Sequence, residues 1–268
     1  MEFATGRKLT WMAAAAVAFL ALGESLADAS FVLRMTDLDA PDQQVVIDQG
    51  AAGDVSESGL VATAPDLGTA YPGTLLYLGP VGSFHVVMTT GMSKPLLGTP
   101  VNKRLDTVSL SVSGGEGRLA IELTDTDFEF NRASGTVHLT SSIGGTTDGR
   151  VTAQSFADLS NVEFGTAITP GLQGPFEGGF HNKAFSDFDM TVFDIEPGQP
   201  FSISQRVVVE HFNRGGSDDT TSFDIMTEVH TPEPSTLVMW GMGLLGTGFF
   251  AWPRQRRRPN HPCSRCDG

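Results

Sequence analysis

The spacing of apolar residues between positions 30 and 230 constrains the fold more than any other feature. The three-to-four-residue spacing of an amphipathic helix is nearly absent there, and short runs of alternating apolar and polar residues replace it. Gly, Asn, Asp and Ser separate these runs, which are typical of strands with one buried face. The runs are residues 84–90, 107–112, 118–123, 136–140, 187–195, 201–212 and 222–229. The pattern predicts an all-β fold, an antiparallel β-sandwich or a jelly-roll-like body.

The segments between these runs predict how the strands are connected. Gly114-Gly115-Glu116-Gly117 predicts a hairpin between runs 107–112 and 118–123, and residues 213–219 predict a long hairpin loop between the last two runs. Residues 170–179 are rich in Gly and Pro and indicate a long crossover loop, with an internal domain boundary as the alternative. No period of 20–50 residues recurs, which disfavours a solenoid or a propeller.

The N-terminus has the pattern of a secretory signal peptide. Arg7 and Lys8 precede an apolar stretch at positions 9–22, and small residues follow up to Ala27 and Ala29. Fourteen residues make a helix of about 21 Å, which is short for a hydrocarbon core of about 30 Å. We therefore predict a signal peptide at residues 1–27, with cleavage after Ala27 or, alternatively, after Ala29.

The C-terminus predicts a short membrane helix. Pro232 and Pro234 disfavour helical backbone at the residues before them, so this junction is expected to be extended. The apolar residues 237–252 form a helix of about 24 Å. Basic residues follow it and belong on the cytoplasmic side: Arg254, Arg256, Arg257 and Arg258. The predicted organisation is a body at 28–231, a tail at 232–258, and a disordered cytoplasmic extension at 259–268.

This tail resembles the sorting signal of the PEP-CTERM family in three elements: Pro232-Glu233-Pro234, the apolar helix 237–252 and the arginine cluster. The resemblance implies that an exosortase, a membrane-embedded transpeptidase-like enzyme of Gram-negative bacteria, cuts near the Pro-Glu-Pro motif. It also implies passage through the inner membrane with a transient anchor, release to the cell surface or exterior, and association with exopolysaccharide and biofilm. Tails of this family end soon after the basic cluster, whereas residues 259–268 follow it here. An ordinary single-pass anchor is the alternative.

The charge and cysteine content of the body exclude several functions. Residues 28–231 contain 27 Asp and Glu against 10 Lys and Arg, so the body repels nucleic acid. Its lack of cysteine excludes thiol catalysis there. Cys263 and Cys266 stand beside His261 in the extension, which makes a weak metal or redox site with too few ligands.

Two acidic runs are weak candidates for Ca²⁺ binding because they place carboxylates two residues apart. They are Asp37, Asp39 and Asp42 in the first run, and Asp125, Asp127 and Glu129 in the second. Neither run has the loop of an EF-hand, so the favoured interpretation is a solvated strand face without a cofactor.

The sequence contains no recognisable catalytic motif. His181, on a predicted loop, is the most site-like histidine, whereas His85 and His138 lie in strand-like runs and are expected on a solvent face or an edge. The leading hypothesis is a non-enzymatic surface or matrix protein. A carbohydrate-binding sandwich and a secreted hydrolase are the alternatives. Tyr71 and Tyr77 are the only Tyr or Trp residues of the body, which disfavours a sugar-stacking platform.

Overall fold

A computed structural model of the chain describes residues 30–48, 55–56, 73–94, 96–130, 135–179, 181–212 and 218–232. These residues form strands and no helix. The strands are β1 (Phe31–Asp37), β2 (Gln44–Asp48), β3 (Val55–Ser56), β4 (Thr74–Val81), β5 (Phe84–Met92), β6 (Asn102–Gly114), β7 (Gly117–Phe128), β8 (Gly135–Thr147), β9 (Arg150–Asp158), β10 (Gln173–Glu177), β11 (Lys183–Ile195), β12 (Phe201–His211) and β13 (Thr220–His230). The prediction of an all-β antiparallel fold is confirmed.

Several predictions concern residues outside these ranges. They include the signal peptide 1–27 with Ala27 and Ala29, the helix 237–252, and the extension 259–268. In the described ranges no helix has the length and apolarity that a membrane span requires. The chain divides after His230 into two compact units, and Thr231 and Pro232 are the described residues of the second.

The strands form two antiparallel sheets that pack face to face. Sheet A has the order β10-β9-β12-β7-β1-β2-β3, and sheet B has the order β11-β8-β13-β6-β5-β4. The last eight strands pair in a nested way: β6 with β13, β7 with β12, β8 with β11, and β9 with β10. This is one long antiparallel ribbon folded over on itself, which is the connectivity of a jelly roll.

Both predicted hairpins are wrong because the chain changes sheets where they were expected. β6 belongs to sheet B and β7 to sheet A, and β12 and β13 are divided in the same way. A turn rich in glycine indicates that the chain reverses, but it does not indicate whether the next strand pairs with the previous one or packs over it. The pair β6 and β13 of sheet B continues into the pair β7 and β12 of sheet A, so both sides of the ribbon turn the corner together.

Glycines make the corner between β6 and β7 possible. Gly115 has a φ of 65° and Gly117 a φ of 128°, which disfavour residues with a Cβ. A Cβ at Gly115 would lie 2.8 Å from Ser83 Oγ, and one at Gly117 would lie 2.6 Å from Asp39 Oδ2. The absence of a side chain lets the chain pass close to its neighbours as it leaves sheet B.

The predicted crossover loop at residues 170–179 contains a strand that the sequence did not reveal. Residues Gln173–Glu177 form β10, the edge strand of sheet A beside β9. Their alternation is hidden by Gly174 and Pro175, and a register shift lies between Gln173 and Phe176. Proline is tolerated here because an edge strand has one unpaired side.

The core lies between the sheets and combines apolar side chains with a polar row. Its largest fully buried side chains include Phe84, Phe128, Phe130, Phe201 and Phe223. A second set of buried side chains carries hydroxyl and amide groups: Thr107, Gln205, Thr227, Ser155, Ser141 and Gln173. We call this second set the cross-sheet polar chain.

The members of the cross-sheet polar chain alternate between sheet B and sheet A. Thr107 Oγ1 donates to Gln205 Oε1 at 3.0 Å, and Gln205 Nε2 lies 3.0 Å from Thr227 Oγ1. Thr227 Oγ1 lies 2.6 Å from Ser155 Oγ, which lies 2.8 Å from Ser141 Oγ.

The cross-sheet polar chain ends on β10, where Ser141 Oγ donates to Gln173 Oε1 at 2.7 Å. Gln205 Nε2 also lies within hydrogen-bond distance of the carbonyl oxygens of Leu105 and Ile225. A single direction of donation from Thr107 to Gln173 gives every hydroxyl group of the cross-sheet polar chain a partner, so these groups need no water. The two hydrogens of Gln205 Nε2 are shared among Thr227 Oγ1 and the two carbonyl oxygens.

The substitution Gln205→Ala is expected to lower the free energy of unfolding by about 3 kcal/mol or more, because it leaves a cavity and buried polar groups without partners. Chemical denaturation of the full chain measures the loss. Arg206→Ala, at the next residue of β12, is the matched control. The Arg206 side chain is exposed, and its Nε lies 3.7 Å from Glu122 Oε1. Its loss is expected to change the free energy of unfolding by less than about 1 kcal/mol. Equal losses for the two variants would contradict a structural role for the polar chain.

Candidate functional site

An open groove crosses the outer face of sheet B. It has a volume of about 620 Å³ and passes over β11, β8, β13 and β6. Side chains that line it include Arg104, Asp106, Val108, Ser142, Phe188 and Met226. Neighbouring strands lie about 4.8 Å apart, so four strands span roughly 15 Å. The groove is therefore long enough for an extended ligand.

A β-bulge in β6 shapes one wall of the groove. Two residues, Val108 and Ser109, face the single residue Asp224 of β13. Ser109 has a φ of 53°, and its amide donates to the Asp224 carboxylate. Bulges of this kind redirect side chains at functional sites. Here the carboxylate that lines the groove also holds the bulge in place.

The polar wall of the groove contains one arginine among several carboxylates. Arg104 Nη2 donates to Asp106 Oδ2 at 2.8 Å, and Arg104 Nε lies 3.8 Å from Glu228 Oε1. Burial raises the pKa of Asp106 above its ordinary value; Arg104 opposes this shift, while Asp224 and Glu228 add to it. Carboxylates outnumber the arginine at this wall, so the groove carries a net negative charge that disfavours anionic ligands.

Exposed apolar side chains of β11 border the groove. Phe188, Met190 and Val192 are 63%, 47% and 53% exposed, and all three point away from the core. Met226 of β13 also lines the groove, two strands from Phe188, with Ser142 of β8 between them. An apolar surface next to arginine and carboxylate groups can pack against one face of a ligand and hydrogen-bond to its polar edge.

The first acidic run has its oxygen atoms engaged by the protein. Asp37 is buried, and its carboxylate accepts the backbone N–H groups of Asp39, Ala40 and Ser83. Asp39 pairs with the Arg118 side chain at 3.1 Å and accepts the Arg118 amide. Asp42 is exposed. The run therefore forms a structured turn at the end of β1, and the expectation of a uniformly solvated face is wrong for Asp37.

The second acidic run divides between the core and the surface. Asp127 and Glu129 alternate with buried Phe128 and Phe130, as the sequence predicts. Asp125 instead lies on the core side with 1% exposure, so the prediction of a solvated face is wrong for this residue. A register shift between β7 and β12 separates Asp125 from Phe128 and changes which residues face inward.

Asp125 is the buried member of a partly buried ion pair at one end of the sandwich. Lys94 Nζ lies 3.0 Å from Asp125 Oδ1 and 4.3 Å from the centre of the Phe128 ring, and Ser93 Oγ donates to the other carboxylate oxygen. Burial raises the pKa of Asp125, and Lys94 and Ser93 oppose that shift. Lys94 is the partner that the sequence could not identify, because 31 positions separate it from Asp125.

Among the described residues, no group of three or more His, Cys, Asp or Glu side chains lies close enough to hold a metal ion. Of the predicted processing motif, Pro232 is described and exposed. The remaining motif residues lie outside the described ranges: Glu233, Pro234, Arg254, Arg256, Arg257 and Arg258, as do His261, Cys263 and Cys266.

The histidines divide into surface and core positions. His85 and His181 are exposed, and His138 lies 5.3 Å from His230 between ring centres on the outer face of sheet B. The residue that sequence reasoning missed is His211, which is buried where the ribbon turns between sheets. Its Nδ1 lies 2.7 Å from the Gly114 carbonyl oxygen, and its Nε2 lies 3.1 Å from Thr221 Oγ1. It joins β12 to sheet B and is not presented to a ligand.

No family model and no curated protein matches the chain. Among solved structures, this chain is similar to the enzymatically active domain of bacteriophage CBA120 tailspike protein 4, with 15% sequence identity and a TM-score of 0.26. The similarity covers 55% of this chain and 19% of the tailspike chain. It is also similar to the K1 adhesin domain of Lys-gingipain from Porphyromonas gingivalis W83, with 14% identity and a TM-score of 0.25. This similarity covers 59% of this chain and 98% of the adhesin domain. A third similarity is to the structure of infectious bursal disease virus, Gx strain, with 11% identity and a TM-score of 0.28. It covers 80% of this chain and 54% of the viral chain. TM-scores this low support no inference about function.

The substitution Lys94→Met is expected to destabilise the protein by about 3 kcal/mol at neutral pH, because it leaves the Asp125 charge buried without its partner. The folded-state pKa of Asp125 is above its unfolded value of 3.8, so its ionisation opposes folding as the pH rises from that value. The loss should therefore shrink as the pH falls towards 4. Denaturation curves at several pH values measure it, and the double variant with Asp125→Leu should recover most of the stability. A loss independent of pH would contradict this assignment.

Proposed function

We propose that this chain is an exported surface or matrix protein that an exosortase-like membrane transpeptidase processes at Pro232-Glu233-Pro234. The observation that carries the proposal is the position of the motif directly after the folded body. The last strand ends at His230, and β13 pairs with β6 on one side and β8 on the other. Pro232 follows two residues later and is exposed. Cleavage after this point would remove none of the strands β1–β13 that the structure describes.

In this proposal the parts of the tail have separate tasks. The prolines hold the motif extended outside the bilayer, where the transpeptidase can reach its backbone. The apolar residues 237–252 set its depth, and the arginines keep the helix from sliding outward. The acidic body remains soluble outside the cytoplasm and associates with exopolysaccharide.

Replacing Pro232, Glu233 and Pro234 by alanine is expected to leave membrane insertion intact and to stop release, so that full-length protein accumulates in the inner membrane. Fractionation followed by immunoblotting measures this outcome. The control replaces Pro259, His261 and Pro262 by alanine in the extension and should be released normally. Normal release of the first variant would refute the proposed role of the motif.

Processing at both ends gives a second expected result. Mass spectrometry of the protein from the envelope or the medium should find an N-terminus at Asp28 or Ser30, and no peptide from residues 237–268. A mature protein that retains the apolar helix would indicate a permanent anchor instead.

The groove on sheet B favours a second candidate function, the binding of a saccharide. The apolar faces of sugar rings can pack on Phe188 and Met226, while hydroxyl groups pair with Arg104, Asp106 and Asp224. The excess of carboxylates favours a neutral or amine-bearing saccharide over an acidic one. Such a ligand would tie the body to the polysaccharide matrix without catalysis.

The substitution Phe188→Ala is expected to weaken saccharide binding about tenfold by removing the largest apolar surface of the groove. Affinity electrophoresis of the full chain through gels with neutral, amino or acidic polysaccharides measures this effect. A zwitterionic detergent should be used, because sugar-based detergents would compete. Val162→Ala, which removes an exposed apolar side chain elsewhere, is the control. Equal migration of both variants in every gel would contradict this function.

A further inference from the structure

Strand β11 forms one edge of sheet B and is open along its outer side in the part of the chain that the structure describes. It has 13 residues, and β8 is its paired neighbour. Long, open edges are templates for pairing with another chain, and proteins usually protect them. The direction of the amide groups of β11 determines how this edge is protected.

The amides of Phe188 and Met190 point away from β8. The Asp148 amide donates to the Thr220 carbonyl, so the neighbouring pair Thr147–Thr221 is not hydrogen-bonded. The backbone N–H and C=O groups of the odd-numbered residues of β8 are therefore directed towards β11, not towards β13. The unbroken register pairs these odd residues with odd residues of β11. The even-numbered residues of β11 therefore present their N–H and C=O groups to the open edge.

Two aspartates occupy the donors that a further strand would use. Asp187 Oδ1 accepts the Phe188 amide at 2.8 Å, and Asp189 Oδ1 accepts the Met190 amide at 2.8 Å. Each contact joins neighbouring residues and is exposed, so a strand-to-strand hydrogen bond can replace it. The Asp187 and Asp189 carboxylates thus act as caps on the edge.

The outer face beside these caps is apolar, whereas a protected edge usually carries charge. Phe188, Met190 and Val192 are about half exposed or more and lie in one row along β11. The edge therefore combines a surface that favours association with caps that oppose it.

We propose that β11 is an assembly edge for a second copy of this chain and that Asp187 and Asp189 hold it closed. Antiparallel pairing about Met190 places Phe188 opposite the second copy's Val192, which joins both apolar rows into one patch. In this register Asp189 faces Thr191 and no aspartate faces another. Pairing about Phe188 would instead place Asp187 against Asp189, so charge selects the register centred on Met190. This inference does not depend on the proposed processing of the tail.

The test measures the mass of the full chain in detergent by light scattering after size exclusion. The wild type should remain monomeric. Asp187→Ala with Asp189→Ala should form dimers with an association constant raised roughly tenfold or more, because two capped donors in each copy become available. Adding Met190→Pro should return this variant to the monomer, because proline removes an edge donor and leaves the pairing with β8 intact.

The variant with Asp187→Asn and Asp189→Asn separates capping from charge, because the amide oxygen can still accept the hydrogen bond. It should stay monomeric. Association equal to that of the alanine variant would overturn the assignment of the caps. A monomeric alanine variant, or a dimer that persists with Met190→Pro, would overturn the assembly edge itself, and neither result depends on the tail, which all the variants share.

Discussion

The cross-sheet polar chain is the interaction on which the relative position of the two sheets depends. Apolar side chains in a sandwich attract one another without strong direction, so they allow small shifts of one sheet over the other. A buried hydroxyl or amide does not allow this, because a lost partner leaves an unsatisfied group in the interior. Gln205 of sheet A reaches Thr107 and Thr227 of sheet B, and Ser141 of sheet B reaches Ser155 and Gln173 of sheet A. The contacts alternate between the sheets and so hold strands β6, β8 and β13 in register with β9, β10 and β12.

The folded ribbon explains why the functional features lie where they do. Its corners need glycine on one side, at Gly115 and Gly117, and a buried histidine, His211, on the other. The ribbon begins with β6 and ends with β13, so the chain leaves sheet B from a central strand after every pairing is complete. A processing motif placed there is separated from the folding of the body. The proposed sorting motif therefore lies outside the residues that form the two sheets.

The outer face of sheet B joins the proposed binding groove to the proposed assembly edge. Phe188 lines the groove, and its amide is one of the two capped donors of β11. A ligand that packs on this ring and a second copy that pairs with this amide would therefore affect the same residue. Saccharide binding at the groove and pairing along β11 are therefore expected to influence one another.

The sequence by itself determined the strands with a clear alternation, such as β5, β12 and β13, because each has one apolar face that must be buried. It also indicated the acidic character of the body and the composition of the tail. Only the tertiary structure decided which strands pair: the run after Gly114–Gly117 packs over its neighbour, since a local turn does not specify a partner. It also decided that Asp125 lies in the core beside Lys94 and that Phe188 lies outside. In β11 apolar residues occupy both faces, so burial depends on which face meets sheet A, a contact made by residues distant in the chain.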